Sequence, residues 1–437
     1  MLGDFARRFG SRNLYLDPAL GALPFVGNFL TKFFHAELIT VGDELLKGST
    51  LNTNAKFLGQ KLTDLGFRFH AHVSCPDQVE VIKSKLGEAL ERSDLIILSG
   101  GLGPTPDDVT RDAVADYFSS PLVFSKSQYA RIESLYRRYG KRIPSIVRKE
   151  AMFPRQSHPL INRFGIALGF SIVFKHRLIV VLPGVPQELE KMYSEQVQAL
   201  IVKHFHGLRK RYSLIVKTVG LSEPDVMSRL KKDFFDVPFD FGIYPQPGEV
   251  ALRLYADQRS IIRRLKEKIQ KRLGKDVYAF EETSLSEVIG RILVQKKKTL
   301  GVAESCTGGM LAQEITRVSG ASRYFKGGIV AYSNALKHQF LGVPQEILKK
   351  FGAVSEKTAA FMAQGSKGMM EVDYAISITG IAGPDGGTRK KPAGRVYLAL
   401  ATPRQLKIWE KDFWGDRIQV QTKSVKKALE CLWREIK

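Results

Sequence analysis

Two α/β domains joined by a smaller α+β segment are predicted for this chain of 437 residues. Two observations carry the prediction. Short apolar runs alternate with stretches whose apolar residues recur at three- and four-residue spacing, the pattern of strands alternating with amphipathic helices. Several of those runs open into polar, glycine-bearing loops, and in an open α/β sheet such loops converge on one crevice outside the strand C-termini.

The first domain is expected over residues 36–205. Residues 36–43 (AELITVGD) form a strand that runs on into Glu44-Leu45-Leu46-Lys47-Gly48. Asn52-Thr53-Asn54 then leads into a helix with Phe57, Leu58, Leu62 and Leu65 on its apolar face. A second strand, 94–98, opens into SGGLGPTPDDVT at 99–110. Gly100, Gly101 and Gly103 there would let main-chain N–H groups wrap an anion. Asp107 and Asp108 follow directly, and such carboxylates suit a divalent cation bridging to phosphate oxygens. The competing view of this acidic pair is a helix start, where the dipole favours acids. A further buried strand, 178–182, ends in PGVPQE. His70, His72 and Cys75 resemble metal ligands, but Phe67 and Phe69 alternate with them, and a strand is the expectation.

Residues 206–282 read as the small segment, with strands over 213–219 and 250–255 and a helix marked by Ile261, Leu265, Ile269 and Leu273. That helix has a basic polar face (Arg263, Arg264, Lys266, Lys268, Lys271, Arg272), read as a solvated surface. Nucleic-acid-binding KH domains carry a Gly-x-x-Gly clamp. The glycines at 207, 220, 242, 248 and 274 lack that spacing, so a spacer and dimer element is expected.

The second large domain is expected over 283–437. A short strand at Leu300-Gly301-Val302 runs into Ala303-Glu304-Ser305-Cys306-Thr307-Gly308-Gly309, and Met310, Leu311, Ile315 and Val318 mark the following helix. A hydroxyl and a thiol thus sit where first-turn N–H groups are unpaired, and Gly308 and Gly309 let a ligand come close to the main chain. Residues 327–337 form a glycine-entered strand and a polar turn, with Asn334 placed to cap a short helix carrying Lys337. A third strand, from 375, opens into a glycine-rich loop from Thr379 to Gly387. Such a turn can hold a nucleophile and neutralise an oxyanion or a phosphate in one place. Ser305 can be the nucleophile, with Cys306 as its rival. Lys337, desolvated in a crevice, can take the proton in the manner of Ser-Lys pairs; His338 is the only histidine after residue 283. Thr307, Gly308, Gly309, Thr379, Gly380 and Gly383 are candidates for holding a phosphate-bearing ligand. Arg417 suits its phosphate, unless it pairs with Asp416. Asp385 fits a Pro-Asp-Gly turn.

AESCTGG, YSNALK, SITGIAGPDGG and the later Gly415-Asp416-Arg417 resemble the C-terminal domain of the CinA (competence/damage-inducible) family. That domain is the nicotinamide-nucleotide amidase, also found alone as PncC. The resemblance implies hydrolysis of nicotinamide mononucleotide to nicotinate mononucleotide and ammonia, without a cofactor. Ser305 would be the nucleophile and Lys337 the base, with Tyr332 beside it as a relay. GDELLKG, the asparagine pair, GGLGPTPDDVT and LPGVPQEL resemble the molybdopterin-binding-like, three-layer domain at the front of the same family. That implies a phosphate and metal site at Asp43, Glu44, Asn52, Gly100, Gly101, Gly103, Asp107 and Asp108, with the last two as metal ligands. It also implies divalent-cation-dependent hydrolysis of ADP-ribose, with a pterin as the ligand suggested by analogy. Here the chain departs from the family pattern: Val147 and Glu150 replace asparagine and glutamine, and Ile166 and Leu168 interrupt a Gly-Thr-Ala-Pro-Gly run. Such losses weaken binding rather than folding. The middle segment is KH-like in that family, and a homodimer is implied.

The composition fits a soluble multidomain protein: 44% of residues are hydrophobic, and three cysteines far apart form no disulfide framework. The net charge of +23 favours encounters with any polyanion. It is the main support for the rival view, a nucleic-acid- or pterin-binding competence protein without catalysis, although no nucleic-acid partner is expected. Residues 1–35 are read as an extension. Their apolar patch at 19–30 is too short and broken for a membrane span and shows no cleavage site, so a cytoplasmic protein is expected.

Overall fold

The computed structural model describes residues 33–209 and 211–437. They form two compact units, one from residues 33–62 and 66–208 and the other from 63–65 and 209–437. Most of the N-terminal extension, with its apolar patch, lies outside the described residues.

The first unit is built on a six-stranded sheet. Its spatial order is Arg68–Cys75, His35–Val41, Leu95–Ser99, Arg177–Leu182, Gly169–Phe174 and His158–Leu160. The first four strands are parallel and the last two antiparallel. Parallel strands covered on both faces need continuous apolar runs, and every residue of Leu95–Ser99 is buried. Ile39, Ile96, Leu98 and Val181 pack on one face against Ile82, Leu86, Ala113 and Val114 of the helices Val79–Arg92 and Thr110–Tyr117. Leu38, Ile97 and Val180, of opposite parity, are buried as well. The result is the three-layer α/β architecture expected.

The second unit holds two sheets. One is antiparallel, in the order Asp240–Gln246, Glu249–Ala256, Tyr212–Val219, Val277–Ala279. The helices Glu223–Leu230 and Arg259–Leu273 bury Val226, Leu230, Leu265, Ile269 and Leu273 in its core. The other runs Phe325–Val330, Leu300–Glu304, Tyr374–Gly380, Arg395–Ala401, Leu406–Asp412; its first three strands are parallel, and the last two make antiparallel pairs. On one face Ile376, Ile378 and Leu398 meet Leu293 and Leu432; on the other, Ala375 and Ala399 meet Ala359 and Ala363. Val219 and Tyr278 of the first sheet's strands enter the core of the second, and Arg434 of the last helix donates to Asp276 at 2.7 Å. The middle segment therefore packs as one body with the C-terminal domain. The three parallel strands end side by side, and each end carries one of the three conspicuous motifs.

Candidate active site

The strand Leu300–Glu304 delivers Ser305 into a tight turn, where the Ser305 N–H donates to Ile378 O of the neighbouring strand at 3.0 Å. The turn needs both glycines: Gly308 and Gly309 have φ of +61° and +99°, values that suit glycine. A Cβ on Gly308 would meet nothing within 4 Å, so its backbone is open to a ligand. The expected free helix N-terminus is absent. Glu304, fully buried, accepts from the N–H groups of Gly309, Leu311 and Ala312 at 3.1, 3.0 and 2.8 Å. A carboxylate from the preceding strand thus satisfies the first turn of the helix Met310–Thr316 and balances its dipole. An anionic substrate must find its charge partner elsewhere.

Lys337 sits on the helix Asn334–Leu341 and is 1% exposed. The helix is capped by Ser333, whose hydroxyl accepts from the Leu336 N–H at 3.2 Å; Asn334, expected as the cap, is its first residue. Lys337 Nζ donates to Ser305 Oγ at 2.9 Å, to Ala331 O at 2.7 Å and to Tyr332 O at 3.3 Å. Burial lowers its pKa to about 8, because desolvation disfavours the ammonium. The two carbonyls can only accept, so in the neutral amine they hold the two remaining N–H bonds. The lone pair is left pointing at the Ser305 hydroxyl. Cys306 next door is 5% exposed, and burial pushes its thiol up to about 12. It is a protonated thiol at neutral pH and a poor nucleophile. His338 is turned away, with Nδ1 against Val343 O at 2.9 Å.

The other candidates divide. Thr307 is buried, and its hydroxyl has no partner among the described residues, which suits a group awaiting a ligand. Tyr332 is 60% exposed; its hydroxyl accepts from Arg417 at 2.9 Å, and only its carbonyl meets Lys337. A proton relay through the phenol is therefore not what the geometry offers. Arg417 opens the helix Arg417–Ile436 and also donates to Gly383 O at 2.9 Å. Asp416 is spent as the helix cap, accepting from the Gln419 N–H at 2.8 Å, and does not pair with Arg417. Gln421, one turn on, donates to Cys306 O at 2.7 Å, which ties this helix to the nucleophile turn. Thr379 is fully buried, and its hydroxyl is engaged within the fold, donating to Ala353 O at 2.8 Å. Gly380 is where the chain packs on the next strand: a Cβ there would stand 2.8 Å from Arg395 O.

The glycine-rich loop of the first unit is built differently. A Cβ on Gly100 would lie 2.1 Å from Val41 O, on Gly101 2.2 Å from Thr110 Oγ1, and on Gly103 2.5 Å from Asp108 Oδ2. The Gly100 N–H, expected to wrap an anion, donates to Leu182 O at 3.1 Å. Asp108 accepts from Thr105 N and Oγ1 at 2.9 and 2.5 Å, Asp43 accepts from Lys47 at 2.7 Å, and Asn52 donates to Thr40 at 2.9 Å. Glu44 is exposed. Asp77, which the sequence reading did not single out, has its pKa raised by burial and by the charges of Glu44, Asp107 and Asp43. Among the described residues no three acidic, histidine or cysteine side chains are set to hold a metal.

Two family profiles match, "CinA C-terminal domain" over residues 282–436 and "Probable molybdopterin binding domain" over 37–203. A "Putative competence-damage inducible protein" of Caldicellulosiruptor bescii is 39% identical over 409 residues, covering 92% of this chain and 99% of the relative. A "CinA-like protein" of Dictyoglomus thermophilum is 36% identical over 406 residues, 91% and 98% of the two chains. The chain belongs to the CinA family. A crystal structure of a CinA protein "with unknown function" from Thermoplasma acidophilum is 34% identical, with 38% of this chain and 98% of that chain covered and a TM-score of 0.36. This CinA protein thus has an N-terminal molybdopterin-binding-like domain and a C-terminal CinA domain. Among the described residues no helix is long and apolar enough to cross a membrane.

Within the CinA domain, Glu304 is the functional residue that sequence reasoning missed. Its signal was available: an acid ending an otherwise apolar strand, five residues before the glycine that begins a helix.

Proposed function

We propose that the CinA domain hydrolyses the carboxamide of nicotinamide mononucleotide, releasing ammonia and nicotinate mononucleotide. The observation that carries this is the buried Lys337 Nζ, 2.9 Å from Ser305 Oγ. Neutral Lys337 takes the hydroxyl proton as Ser305 Oγ attacks the carboxamide carbon, and returns it to the departing ammonia. Within the turn the Gly308 N–H donates to Ser305 O at 3.1 Å and the Gly309 N–H to Glu304, so the developing oxyanion is left to the Thr307 N–H and its unpartnered hydroxyl. Water then cleaves the acyl-serine with the same lysine as base. The phosphate goes to Arg417, whose guanidinium is joined through Tyr332 to the Lys337 side of the site. With the helix amides satisfied by Glu304, Arg417 is the fixed fork best placed for it.

Purified full-length protein is expected to release ammonia from nicotinamide mononucleotide. Ser305→Ala should be inactive, while Cys306→Ala keeps most of its turnover. The reverse pattern would move the nucleophile to the cysteine. A folded wild-type protein that releases no ammonia would end the amidase reading and leave the binding-protein alternative.

For the N-terminal domain we infer a divalent-cation-dependent hydrolysis of ADP-ribose, resting on the shared field of Asp43, Glu44, Asp77 and Asp107. That concentration of charge suits a divalent cation. The present positions do not make a ligand set, since Asp108 is taken by Thr105 and Asp43 by Lys47. ADP-ribose turnover that requires a divalent ion and is lost in Asp107→Ala would support the inference; its absence at every ion tested would end it.

A further inference from the structure

We propose that a recess beside Arg417 binds the second base of a pyridine dinucleotide, so that such a dinucleotide lies with its nicotinamide end at Ser305 and its far base against Trp414. Which end enters first rests on the amidase reading.

The recess, about 250 Å³, is lined by Ala382, Gly383, Pro384, Gly394, Trp414 and Arg417, among others. Arg417 stands between it and the catalytic pair. One guanidinium nitrogen donates to Tyr332, whose carbonyl meets Lys337; the other donates to Gly383, a wall of the recess. Among the described residues Arg417 has no carboxylate partner. A mononucleotide with its carboxamide at Ser305 ends at its phosphate, at Arg417, and leaves the recess empty. A pyrophosphate runs on past Arg417 into it.

The recess is also built rather than loose. Gly394 N–H donates to Ile381 O at 2.7 Å, Phe413 N–H to Gly394 O at 3.0 Å, and Lys423 Nζ to Trp414 O at 2.5 Å. A Cβ on Gly394 would stand 2.1 Å from Phe413 O, so that glycine closes the wall. On this fixed backbone Trp414 is 86% exposed. Tryptophan is highly buried on average, and an exposed indole beside a guanidinium that has no carboxylate partner suits a flat base following a phosphate.

The test uses full-length protein carrying Ser305→Ala, so that ligands are bound but not consumed. All three tryptophans (409, 414, 433) lie in the C-terminal unit, so indole fluorescence reports on that unit alone. NAD and AMP are expected to quench the fluorescence and to compete with nicotinamide mononucleotide for Arg417. Trp414→Ala should weaken NAD and AMP relative to the mononucleotide by about five-fold or more, as loss of a stacking partner does. Trp414→Phe should restore most of that affinity while removing the quench. If AMP neither quenches nor competes, or if Trp414→Ala leaves the ratio of affinities unchanged, the second-base subsite is wrong. Failure of the amidase reading has a separate signature, wild-type protein that releases no ammonia, and it does not alter AMP quenching at Trp414.

Discussion

Both domains present a glycine-rich loop after a buried parallel strand, yet the glycines do opposite work. In the N-terminal loop a Cβ on Gly100, Gly101 or Gly103 would collide with Val41, Thr110 or Asp108, so these glycines let the protein pack against itself. In the CinA domain a Cβ on Gly308 would meet nothing. The carboxylates around the first loop are engaged by neighbours, Asp108 of the loop by Thr105, and Asp43, after the strand His35–Val41, by Lys47. The second site keeps a buried amine against a hydroxyl and an unpartnered Thr307. One loop is arranged for its own fold and must rearrange to hold a cation. The other leaves a buried hydroxyl unpartnered and its main chain open to a ligand.

The largest effect that would break this contrast is at Lys337. Lys337→Met should cut ammonia release about 10²–10⁴-fold, the range for losing a general base, while any ADP-ribose hydrolysis is untouched. The thermal midpoint should not fall, because the substitution removes a buried cation. A mutant with more than a tenth of wild-type turnover would remove the lysine from the mechanism.

The converse substitution sharpens the other side. Asp107→Ala or Asp108→Ala should leave ammonia release within about two-fold, since the two sites share no residues. ADP-ribose hydrolysis should drop by about ten-fold or more, as for lost metal-site groups. Ammonia release that fell with it would show the sites to be coupled.

Glu304 tests whether the nucleophile turn is held from within. Glu304→Ala leaves three helix amides without their acceptor and should cost about 1–3 kcal/mol in denaturant unfolding. Ammonia release should fall as well, because Ser305 is the next residue. Unchanged stability would mean that water replaces the carboxylate at no cost.

The smallest effect is expected at Glu150 in the N-terminal domain. It is 1% exposed, and burial raises its carboxyl to about 7, with Arg111 opposing the shift. A raised carboxyl pKa contributes stability that is fully present below the unfolded value near 4.5 and is lost as pH rises through about 7. Glu150→Gln should therefore match wild type near pH 4.5 and exceed it by about 1–2 kcal/mol at pH 8. Equal pH profiles would mean that Glu150 is solvated after all.

Much of this was legible in the sequence. Uninterrupted apolar runs such as Leu95–Leu98 and Leu178–Leu182 declared buried strands, and the order of AESCTGG, YSNALK and SITGIAGPDGG declared three strand ends converging on one crevice. Ser305 and Lys337, 32 positions apart, are paired by the chemistry of a hydroxyl that needs a base and by the resemblance of their motifs. The contacts that define the rest were not legible, because they are tertiary. Thr379 looked like a ligand contact, but its hydroxyl is claimed by Ala353 O from another element. Tyr332 looked like a relay, but its ring turns outward to Arg417 while its carbonyl faces the lysine. The N-terminal glycines looked like an open cradle because a sequence does not say which neighbour fills the missing Cβ. The expected cap Asn334 missed by one residue, Ser333 having the extended backbone that a cap requires.

The central claim, that a buried neutral lysine activates Ser305, is tested most directly by the pH dependence of ammonia release from nicotinamide mononucleotide. Lys337 must lose its proton to act, and its pKa of about 8 leaves roughly a tenth of it neutral at pH 7. The rate is predicted to rise about ten-fold per pH unit below 7, to bend near 8, and to level off above it, and thiol alkylation should leave that curve in place. A rate that is flat from pH 6 to 9, or one abolished by alkylation in wild type but not in Cys306→Ala, would contradict the account.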